Sequence, residues 1–198
     1  MIRNIIFYMG NVLLTYEPET FVRKLCSEKA APVILRELFL GPDWRKQDLG
    51  LIGKKELFEL VSVRVPAIFH PDLWNAVDHW SDLMQPISGA DAFIRRMKTE
   101  GYRLFVLSNA GTDFYRYFPP HYALSLFDGL TISCDLHIAK PDREIYMHLM
   151  ESFGLLPEEC MFTDDMQENV AGAEACGMHG FRFQGDFEAL SDAVCRIK

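Results

Sequence analysis

The sequence has few of the features that hold small secreted proteins or metal-binding modules together. Its five cysteines are odd in number, none forms a CxxC pair, and several lie in apolar segments. Disulfide frameworks and structural zinc sites use even sets of cysteines or closely spaced Cys and His residues. We therefore predict reduced thiols in a cytoplasmic protein that has no zinc site.

Long apolar runs and an excess of positive charge are also missing. No apolar stretch approaches the roughly 20 residues that a membrane-spanning helix needs. The apolar start is interrupted at Gly10-Asn11 and no small-residue cleavage site follows, which favours a first core strand over a signal peptide. The net charge of −8 argues against nucleic acid or an anionic membrane as the main partner. It does not exclude a small anionic ligand.

What the chain does contain is enough material for one α/β core with a modest inserted subdomain. It has 198 residues, of which 49% are hydrophobic. Short apolar runs alternate with helical patterns, which predicts α/β architecture with a doubly wound, Rossmann-type parallel sheet. The five predicted strands are Ile5–Phe7, Tyr102–Leu107, Leu130–Ser133, Cys160–Thr163 and Met178–Phe183.

Residues 16–86 have helical periodicity throughout and predict four helices inserted after the first strand. We therefore assign residues 1–15 and 87–198 to the α/β core and residues 16–86 to a small all-helical subdomain. The apolar positions that define the four helices are Phe21, Val22 and Leu25; Val33, Ile34, Leu38 and Leu40; Leu57, Leu60, Val61 and Val65; and Leu73, Trp74, Val77 and Trp80.

Polar residues follow three of the predicted strands at the point where each strand ends. Tyr8 follows the first, Ser108-Asn109 the second along the chain, and Asp164-Asp165 the fourth, while Lys140 lies just before Pro141. In open parallel sheets, ligands bind in the crevice beyond the carboxyl ends of the strands. These side chains are therefore the candidate functional residues.

Asp164-Asp165 is the strongest of these signals. Two adjacent carboxylates at the end of a buried strand repel each other unless a cation or hydrogen bonds intervene. Mg²⁺ binds through one or two carboxylates together with phosphate oxygens, so the pair predicts a magnesium site. The alternative is that Asp165 caps the next helix while Asp164 points to water.

Ser108 and Asn109 also allow two interpretations. A serine hydroxyl and backbone N–H groups at a helix N-terminus suit a phosphate group. A plain helix N-cap would use the same residue types. Lys140 by itself indicates nothing beyond a charged loop residue.

Taken in order, four motifs resemble those of the haloacid dehalogenase-like (HAD) phosphohydrolases. They are FYMGNVL at 7–13, VLSNA at 106–110, KPDREIY at 140–146 and FTDDMQENVAGAEACG at 162–177. The chain is most similar to the branch that contains the bacterial glucose-1-phosphate phosphatase-like enzymes. The resemblance spans nearly the whole chain and implies that residues 16–86 form a helical cap over the active-site crevice.

The resemblance assigns roles to the candidate residues. It implies that Ser108, Asn109 and Lys140 bind the phosphate of the substrate, with Lys140 also holding the nucleophile. It implies Mg²⁺ as the cofactor, bound by the backbone of Gly10 and by the carboxylates at 164 and 165. Asp164 is the expected direct ligand, and Asp165 is expected behind it as a candidate partner of Lys140.

One departure from the family is central, because Tyr8 occupies the position of the nucleophilic aspartate. A phenol has an ordinary pKa of about 10, so it is neutral at pH 7, and it is longer than a carboxylate. Tyr8 would fill the phosphate space and remove one metal ligand, so we expect an inactive or severely impaired chain that binds Mg²⁺ weakly. A natural pseudoenzyme, an inactivated copy of an active phosphatase, and chemistry by another residue all remain open.

A second departure is His137, which stands where the family pattern has glycine. A backbone with positive φ there would strain a histidine, and a plain loop residue is the favoured interpretation. The resulting expectation is the scaffold of a Mg²⁺-dependent phosphatase for a small phosphorylated metabolite, such as a sugar phosphate. The alternative is a non-catalytic protein that uses the crevice or the cap for binding or regulation. A monomer and a homodimer are both compatible with the sequence.

Overall fold

Five short strands form an all-parallel sheet at the centre of the computed structural model, which describes residues 1–197. Their bounds are β1 (Asn4–Phe7), β2 (Arg103–Ser108), β3 (Gly129–Ile132), β4 (Cys160–Asp164) and β5 (His179–Arg182). The strand order is β3-β2-β1-β4-β5, so β1 is the central strand. The predicted parallel α/β fold is confirmed.

The register of the central strand determines which residues meet at the carboxyl edge of the sheet. Phe7 lies level with Val106 on β2 and with Thr163 on β4. All four residues of β1 are buried, as expected for a parallel strand covered on both faces. The next residue, Tyr8, donates its N–H to the Thr163 carbonyl over 2.9 Å, so it leaves the sheet beside the end of β4.

The elements within residues 16–86 are all helical. They are α1 (Pro18–Leu25), α2 (Ala31–Ile34), a π turn (Leu35–Phe39), α3 (Trp44–Asp48), α4 (Lys54–Ser62), a 3-10 turn (Ala67–Phe69), α5 (His70–His79) and a 3-10 turn (Trp80–Leu83). The helical insertion predicted after the first strand is therefore present.

Two details of this insertion differ from the prediction. The five-residue helix α3 was not predicted, because it is too short and too polar to show an apolar period. Leu60 and Trp74, which we expected on buried faces, are 38% and 43% exposed, and so is Leu40, at 72%. The Leu40 N–H reaches back to the Leu35 carbonyl, so the wider π turn rotates Leu40 off the apolar side.

The remaining helices cover both faces of the sheet. They are α6 (Ala90–Thr99), α7 (Phe114–Tyr117), α8 (Ser133–Leu136), α9 (Arg143–Phe153), α10 (Gln167–Ala175) and α11 (Phe187–Arg196), with 3-10 turns at Leu124–Leu126 and Pro157–Glu159. Ile5 and Phe7 pack in the same apolar cluster as α6 and α11, whereas Ile6 packs with α9 and α10. Alternate residues of one strand thus serve two helical layers, which is the doubly wound arrangement.

The predicted strand after residue 129 ends one residue early, because Ser133 begins α8. None of the helices within residues 1–197 is both long enough and apolar enough to cross a membrane.

Candidate functional site

Three of the predicted site residues come into direct contact at the carboxyl edge of the sheet. Lys140 Nζ donates to Asp164 Oδ2 over 2.6 Å and lies 3.6 Å from the centre of the Tyr8 ring. The side chains of Lys140 and Asp164 are both completely buried. We call Tyr8, Ser108, Asn109, Lys140 and Asp164 the sheet-edge cluster.

The side chain of Asn109 positions Lys140 through two hydrogen bonds to its backbone. Its Nδ2 donates to the Lys140 carbonyl over 3.0 Å, and its Oδ1 accepts the Lys140 N–H over 2.8 Å. This pair of bonds joins the end of β2 to the loop before α9. Both polar atoms of the Asn109 side chain are therefore used to hold the backbone of Lys140.

Ser108 is the last residue of β2 and is fully buried. Its Oγ lies 3.5 Å from the Asn109 carbonyl, at the outer limit of a hydrogen bond. The next helix, α7, begins at Phe114 with Asp113 in the N-cap position. The interpretation of Ser108-Asn109 as a helix N-cap is therefore wrong, and Ser108 is enclosed at the strand end.

Both oxygens of Asp164 are already engaged by donors. Besides Lys140, Asn169 Nδ2 lies 3.1 Å from each oxygen, and the Met166 N–H donates to Oδ1 over 2.9 Å. The interpretation in which Asp164 points to water is thus wrong. Asn169 stands in the quoted motif, five residues after Asp164, but the sequence did not reveal its contact with this carboxylate.

Asp165 has a different partner from the one we expected. Its Oδ2 accepts a bond from Asn11 Nδ2 over 3.0 Å, whereas Lys140 pairs with Asp164. Asn11 has a positive φ of 53°, and its Oδ1 accepts the Tyr16 N–H. The residue in the N-cap position of α10 is Met166, so Asp165 does not cap this helix. Asp165 instead holds the turn after β1.

The Tyr8 ring lies across the ammonium group of Lys140 and its hydroxyl turns toward Gly10. A methyl group placed on Gly10 would come within 2.8 Å of the Tyr8 hydroxyl oxygen. A larger residue at position 10 would therefore collide with the ring. The contact between Lys140 and the ring face is a cation–π interaction, which takes the place of a carboxylate–ammonium contact at this position.

Tyr8 stays protonated in this environment. Burial raises the pKa of Tyr8 well above its ordinary value, and the negative charges of Asp164, Asp48 and Asp165 raise it further. Burial lowers the pKa of Lys140, while the adjacent Asp164 carboxylate acts in the opposite direction. The cluster therefore offers a neutral phenol and a lysine whose charge is matched by one carboxylate.

The residues expected to bind Mg²⁺ offer the ion a reduced set of ligands in this arrangement. Asp164 is saturated by its donors, and position 8 supplies a neutral phenol where a carboxylate is expected. Asp165 Oδ1 is buried and has no hydrogen-bond partner within residues 1–197. No group of three His, Cys, Asp or Glu side chains in that same range is placed to hold a metal.

A cavity of about 320 Å³ lies between the sheet-edge cluster and the helical insertion. We call it the aromatic cavity. The residues that line it are Tyr8, Met9, Tyr16, Phe39, Trp44, Asp48, Trp80, Asn109, Ala110, Gly111, Tyr117, Met166 and Asn169. We did not predict it, because its aromatic residues come from five separate elements or turns and share no sequence period.

The aromatic wall is continuous. Ring centres are 5.2 Å apart between Trp44 and Trp80, 5.9 Å between Tyr16 and Trp80, and 5.6 Å between Trp80 and Tyr117. Trp44 also packs on Phe39 at 4.7 Å. These spacings are those of directly contacting rings, so the insertion and Tyr117 of α7 together present one aromatic surface to the cavity.

Asp48 is the one charged residue among the described residues that line the cavity. Burial raises the pKa of Asp48 to about 7, and the nearby Asp113 carboxylate adds to this shift while Arg45 opposes it. Burial raises the pKa of Tyr16 and Tyr117 as it does that of Tyr8, and the Asp48 charge adds to the shift of all three. Its carboxylate is therefore close enough to all three phenols to act on their charge.

His137 has the positive φ that the family glycine suggested. Its φ is 57°, it follows the last residue of α8, and its Nδ1 lies 2.7 Å from the Leu49 carbonyl. The contact links the loop that carries Lys140 to the end of α3. His137 is exposed and lies outside both the sheet-edge cluster and the aromatic cavity.

Comparison with known proteins agrees with this fold. A family model described as haloacid dehalogenase-like hydrolase matches residues 26–177. A sesquiterpene phosphatase of Aspergillus oryzae is 27% identical over 176 residues, which are 88% of this chain and 86% of that protein.

Solved structures with the same fold include two bacterial proteins. A HAD family enzyme of Bacteroides thetaiotaomicron, in complex with magnesium and inorganic phosphate, has a TM-score of 0.72 at 20% identity, covering 96% of this chain and 99% of that one. A predicted HAD-like hydrolase of Porphyromonas gingivalis has a TM-score of 0.75 at 24% identity over the whole of both chains. The matched family span begins after position 8 but covers most of the chain, and on that basis this protein belongs to the haloacid dehalogenase-like hydrolase family.

Proposed function

We propose that this chain retains the scaffold of a HAD phosphatase but does not carry out phosphoryl transfer, and that its crevice serves binding. The observation that supports this most directly is the contact of the Tyr8 ring with Lys140 at 3.6 Å. The ring occupies the position from which the family nucleophile would act. The lysine that would face a phosphate is thereby covered by an aromatic ring.

The chemistry of the family reaction explains why this substitution matters. A carboxylate attacks phosphorus, and neighbouring cations stabilise the charge that develops on the transferring group. Tyr8 is neutral because its pKa is raised, and its hydroxyl is turned onto Gly10. A buried neutral phenol is a poor nucleophile, and Lys140 is already neutralised by Asp164.

The expected consequence for the cofactor is weak Mg²⁺ binding. Magnesium, when bound in this family, supplies charge neutralisation at the phosphate. Here the residues that would hold it are the Gly10 backbone, Asp164 and Asp165, with Asp164 first released from Lys140. Competition with a completely buried ion pair would lower the affinity.

The ancestral substrate in this proposal is a small phosphorylated metabolite. The Aspergillus oryzae relative is a sesquiterpene phosphatase, and a structural neighbour holds magnesium and inorganic phosphate. We assign residues 16–86 as the cap and residues 1–15 and 87–198 as the core, because the aromatic cavity lies between them. Placement in the glucose-1-phosphate phosphatase-like branch is part of the same proposal and rests on the sequence motifs.

A phosphatase screen with the unmodified chain tests the proposal. The panel contains sugar phosphates, a prenyl phosphate and a generic aryl phosphate, each with and without Mg²⁺. We expect no turnover above background, and calorimetry with MgCl₂ should give little heat. Robust Mg²⁺-dependent turnover would overturn the proposal and would show that Tyr8 or another residue replaces the nucleophile.

A further inference from the structure

The aromatic cavity contains polar groups that the protein itself leaves without partners. Trp80 is 4% exposed, and its Nε1 has no hydrogen-bond partner among residues 1–197. Asp48 is half-buried, and its side chain makes no hydrogen bond or ion pair that the described part of the chain provides. A carboxylate at a cavity wall that has no protein partner is a candidate contact for a bound cation.

The charge of the cavity argues against a phosphate in this space. Lys140, the nearest candidate for an anion, has a completely buried side chain that is paired with Asp164 and lies against Tyr8. Asp48 lines the cavity, and an anion placed there would be repelled by it. The cavity therefore favours a cation over an anion when Asp48 is ionised.

A neutral hydrocarbon would also be a poor match. Its burial would remove water from Asp48 without supplying a partner, which is costly for a carboxylate. The faces of tyrosine and tryptophan rings carry negative electrostatic potential and attract cations within about 6 Å of the ring centre. Three such rings, Tyr16, Trp44 and Trp80, contact one another in the wall.

The size of the cavity limits the ligand. A volume of about 320 Å³ is near the lower end of small-molecule sites, which begin at roughly 300 Å³. A compact alkylated ammonium group fits such a volume, whereas a long isoprenoid chain would extend beyond it.

We propose that the aromatic cavity binds a small organic cation with an alkylated ammonium centre, held by the rings of Tyr16, Trp44 and Trp80 and balanced by Asp48. The proposal rests on the proposed function, in that it treats the crevice as a binding site. Choline has such a centre, and it serves here as a probe of this chemical class.

The test compares choline with 3,3-dimethyl-1-butanol, which has the same shape but a carbon in place of the charged nitrogen. Titration calorimetry on the unmodified chain should show saturable binding of choline, at least tenfold tighter than that of the neutral isostere. Tryptophan fluorescence should change with choline but not with equal NaCl. Equal binding of the two compounds, or no binding of choline, would overturn the inference.

A pair of variants assigns the charge contribution. Asp48→Asn keeps the side-chain shape and should weaken choline binding about tenfold, whereas Asp192→Asn, at a carboxylate that is 70% exposed, should leave it unchanged. Choline affinity that is equal in both variants would contradict the role of Asp48. The comparison of choline with its isostere needs no variant, so it decides the question even if Asp48→Asn folds poorly.

The two proposals fail separately. Phosphatase turnover by the unmodified chain would refute the loss of hydrolysis without affecting choline affinity. Absence of choline binding in a chain that also lacks turnover would refute only the cationic ligand.

Discussion

The sheet-edge cluster and the aromatic cavity lie side by side and share Tyr8 and Asn109. They differ in whether their polar groups have partners within the protein. In the cluster, Lys140 and Asp164 are completely buried and satisfy each other. In the cavity, Asp48 and Trp80 Nε1 find no partner within residues 1–197. The charged groups of the cluster are paired with each other, whereas the polar groups of the cavity have no partner that the described residues supply.

This difference separates a structural role from a ligand-binding one. A buried ion pair stabilises its partners only while both remain, so the cluster has a structural role whether or not the site is active. An unpaired group at a cavity wall has no such role, so the cavity is the region whose contacts a ligand would complete.

The largest effect should come from Tyr8→Asp, which replaces the aromatic ring in the sheet-edge cluster by a carboxylate. It restores a carboxylate that can attack phosphorus and help hold Mg²⁺, and it removes the ring from Lys140. We expect Mg²⁺-dependent hydrolysis of a generic phosphate ester, with a gain of several orders of magnitude in kcat/KM.

The matched control is Tyr8→Asn, which removes the ring equally but supplies no nucleophile and should stay inactive. Adding Asp164→Ala to Tyr8→Asp should abolish the gain. If Tyr8→Asp folds and binds Mg²⁺ but turns over nothing in a broad panel, the chain has diverged beyond position 8, and His137 and the cap become the next positions to examine.

Lys140→Met tests the structural role of the cluster. It leaves the Asp164 carboxylate buried with donors from Asn169 and Met166 but without a countercharge. The free energy of unfolding should fall by about 3–5 kcal/mol, as found when one member of a buried pair is removed. Urea denaturation measures this change.

Lys55→Met is the control, because Lys55 and Glu59 form an exposed pair at 3.9 Å. Its stability should match that of the unmodified chain within error. A loss of stability no larger for Lys140→Met than for Lys55→Met would mean that the buried pair contributes nothing to the fold.

Asp48→Asn tests the cavity through the pH dependence of stability. Asp48 loses its proton near pH 3.8 in the unfolded chain and near pH 7 in the folded one. Between these values the folded state binds more protons, so stability falls as pH rises and levels off above pH 7. Asp48→Asn has no carboxyl group to ionise, so its free energy of unfolding does not fall in this way. It should be more stable than the parent by about 2–4 kcal/mol at pH 8, and the difference should shrink toward pH 4.

Denaturation curves at several pH values give this profile, and Asp192→Asn should reproduce that of the parent. A parallel shift of the Asp48→Asn curve at every pH would show that Asp48 ionises normally in the fold. The expected gain in stability at the expense of ligand binding is the usual trade-off at a binding site.

The smallest effect concerns His137, in the loop between α8 and Lys140. His137 has a φ of 57°, so His137→Ala keeps the left-handed backbone while removing the contact with the Leu49 carbonyl. His137→Gly removes the same contact but tolerates the backbone, and it should be about 1 kcal/mol more stable than the alanine variant. Thermal unfolding of the two proteins measures the difference.

Gly154→Ala gives the reference value, since Gly154 has a φ of 60° and open space where a Cβ would lie. Its loss of stability should match the difference between the two His137 variants. Equal stability of His137→Ala and His137→Gly would indicate that this loop relaxes out of the left-handed conformation.

The sheet was predictable because its signals are local. Each strand is a short apolar run ended by a polar residue, and parallel strands must bring those ends to one edge. The same rule placed Tyr8 and Asp164 in one crevice, the family resemblance added Lys140, and the three residues are in contact. Helix α3 and the outward turn of Leu40 were missed because short helices and π turns leave no apolar period.

The partners within the site were not predictable in the same way. The sequence shows two aspartates in a row, but whether Lys140 meets the first or the second depends on side-chain directions after β4. The structure pairs Asp164 with Lys140 and Asp165 with Asn11. The aromatic cavity is still harder to predict from the sequence, because Tyr16, Trp44 and Tyr117 come from segments that are far apart in the chain.

Local sequence patterns established the architecture and the edge of the sheet where polar residues meet, because periodicity and residue chemistry act over a few neighbouring residues. The resemblance to the family, and not these patterns, implied that position 8 is the place of a carboxylate. Only the tertiary structure decided that the Tyr8 ring lies on Lys140, that Asp164 has no free oxygen, and that Asp48 faces an aromatic wall. These depend on packing between segments far apart in the chain, where small differences in side-chain direction change which groups become partners.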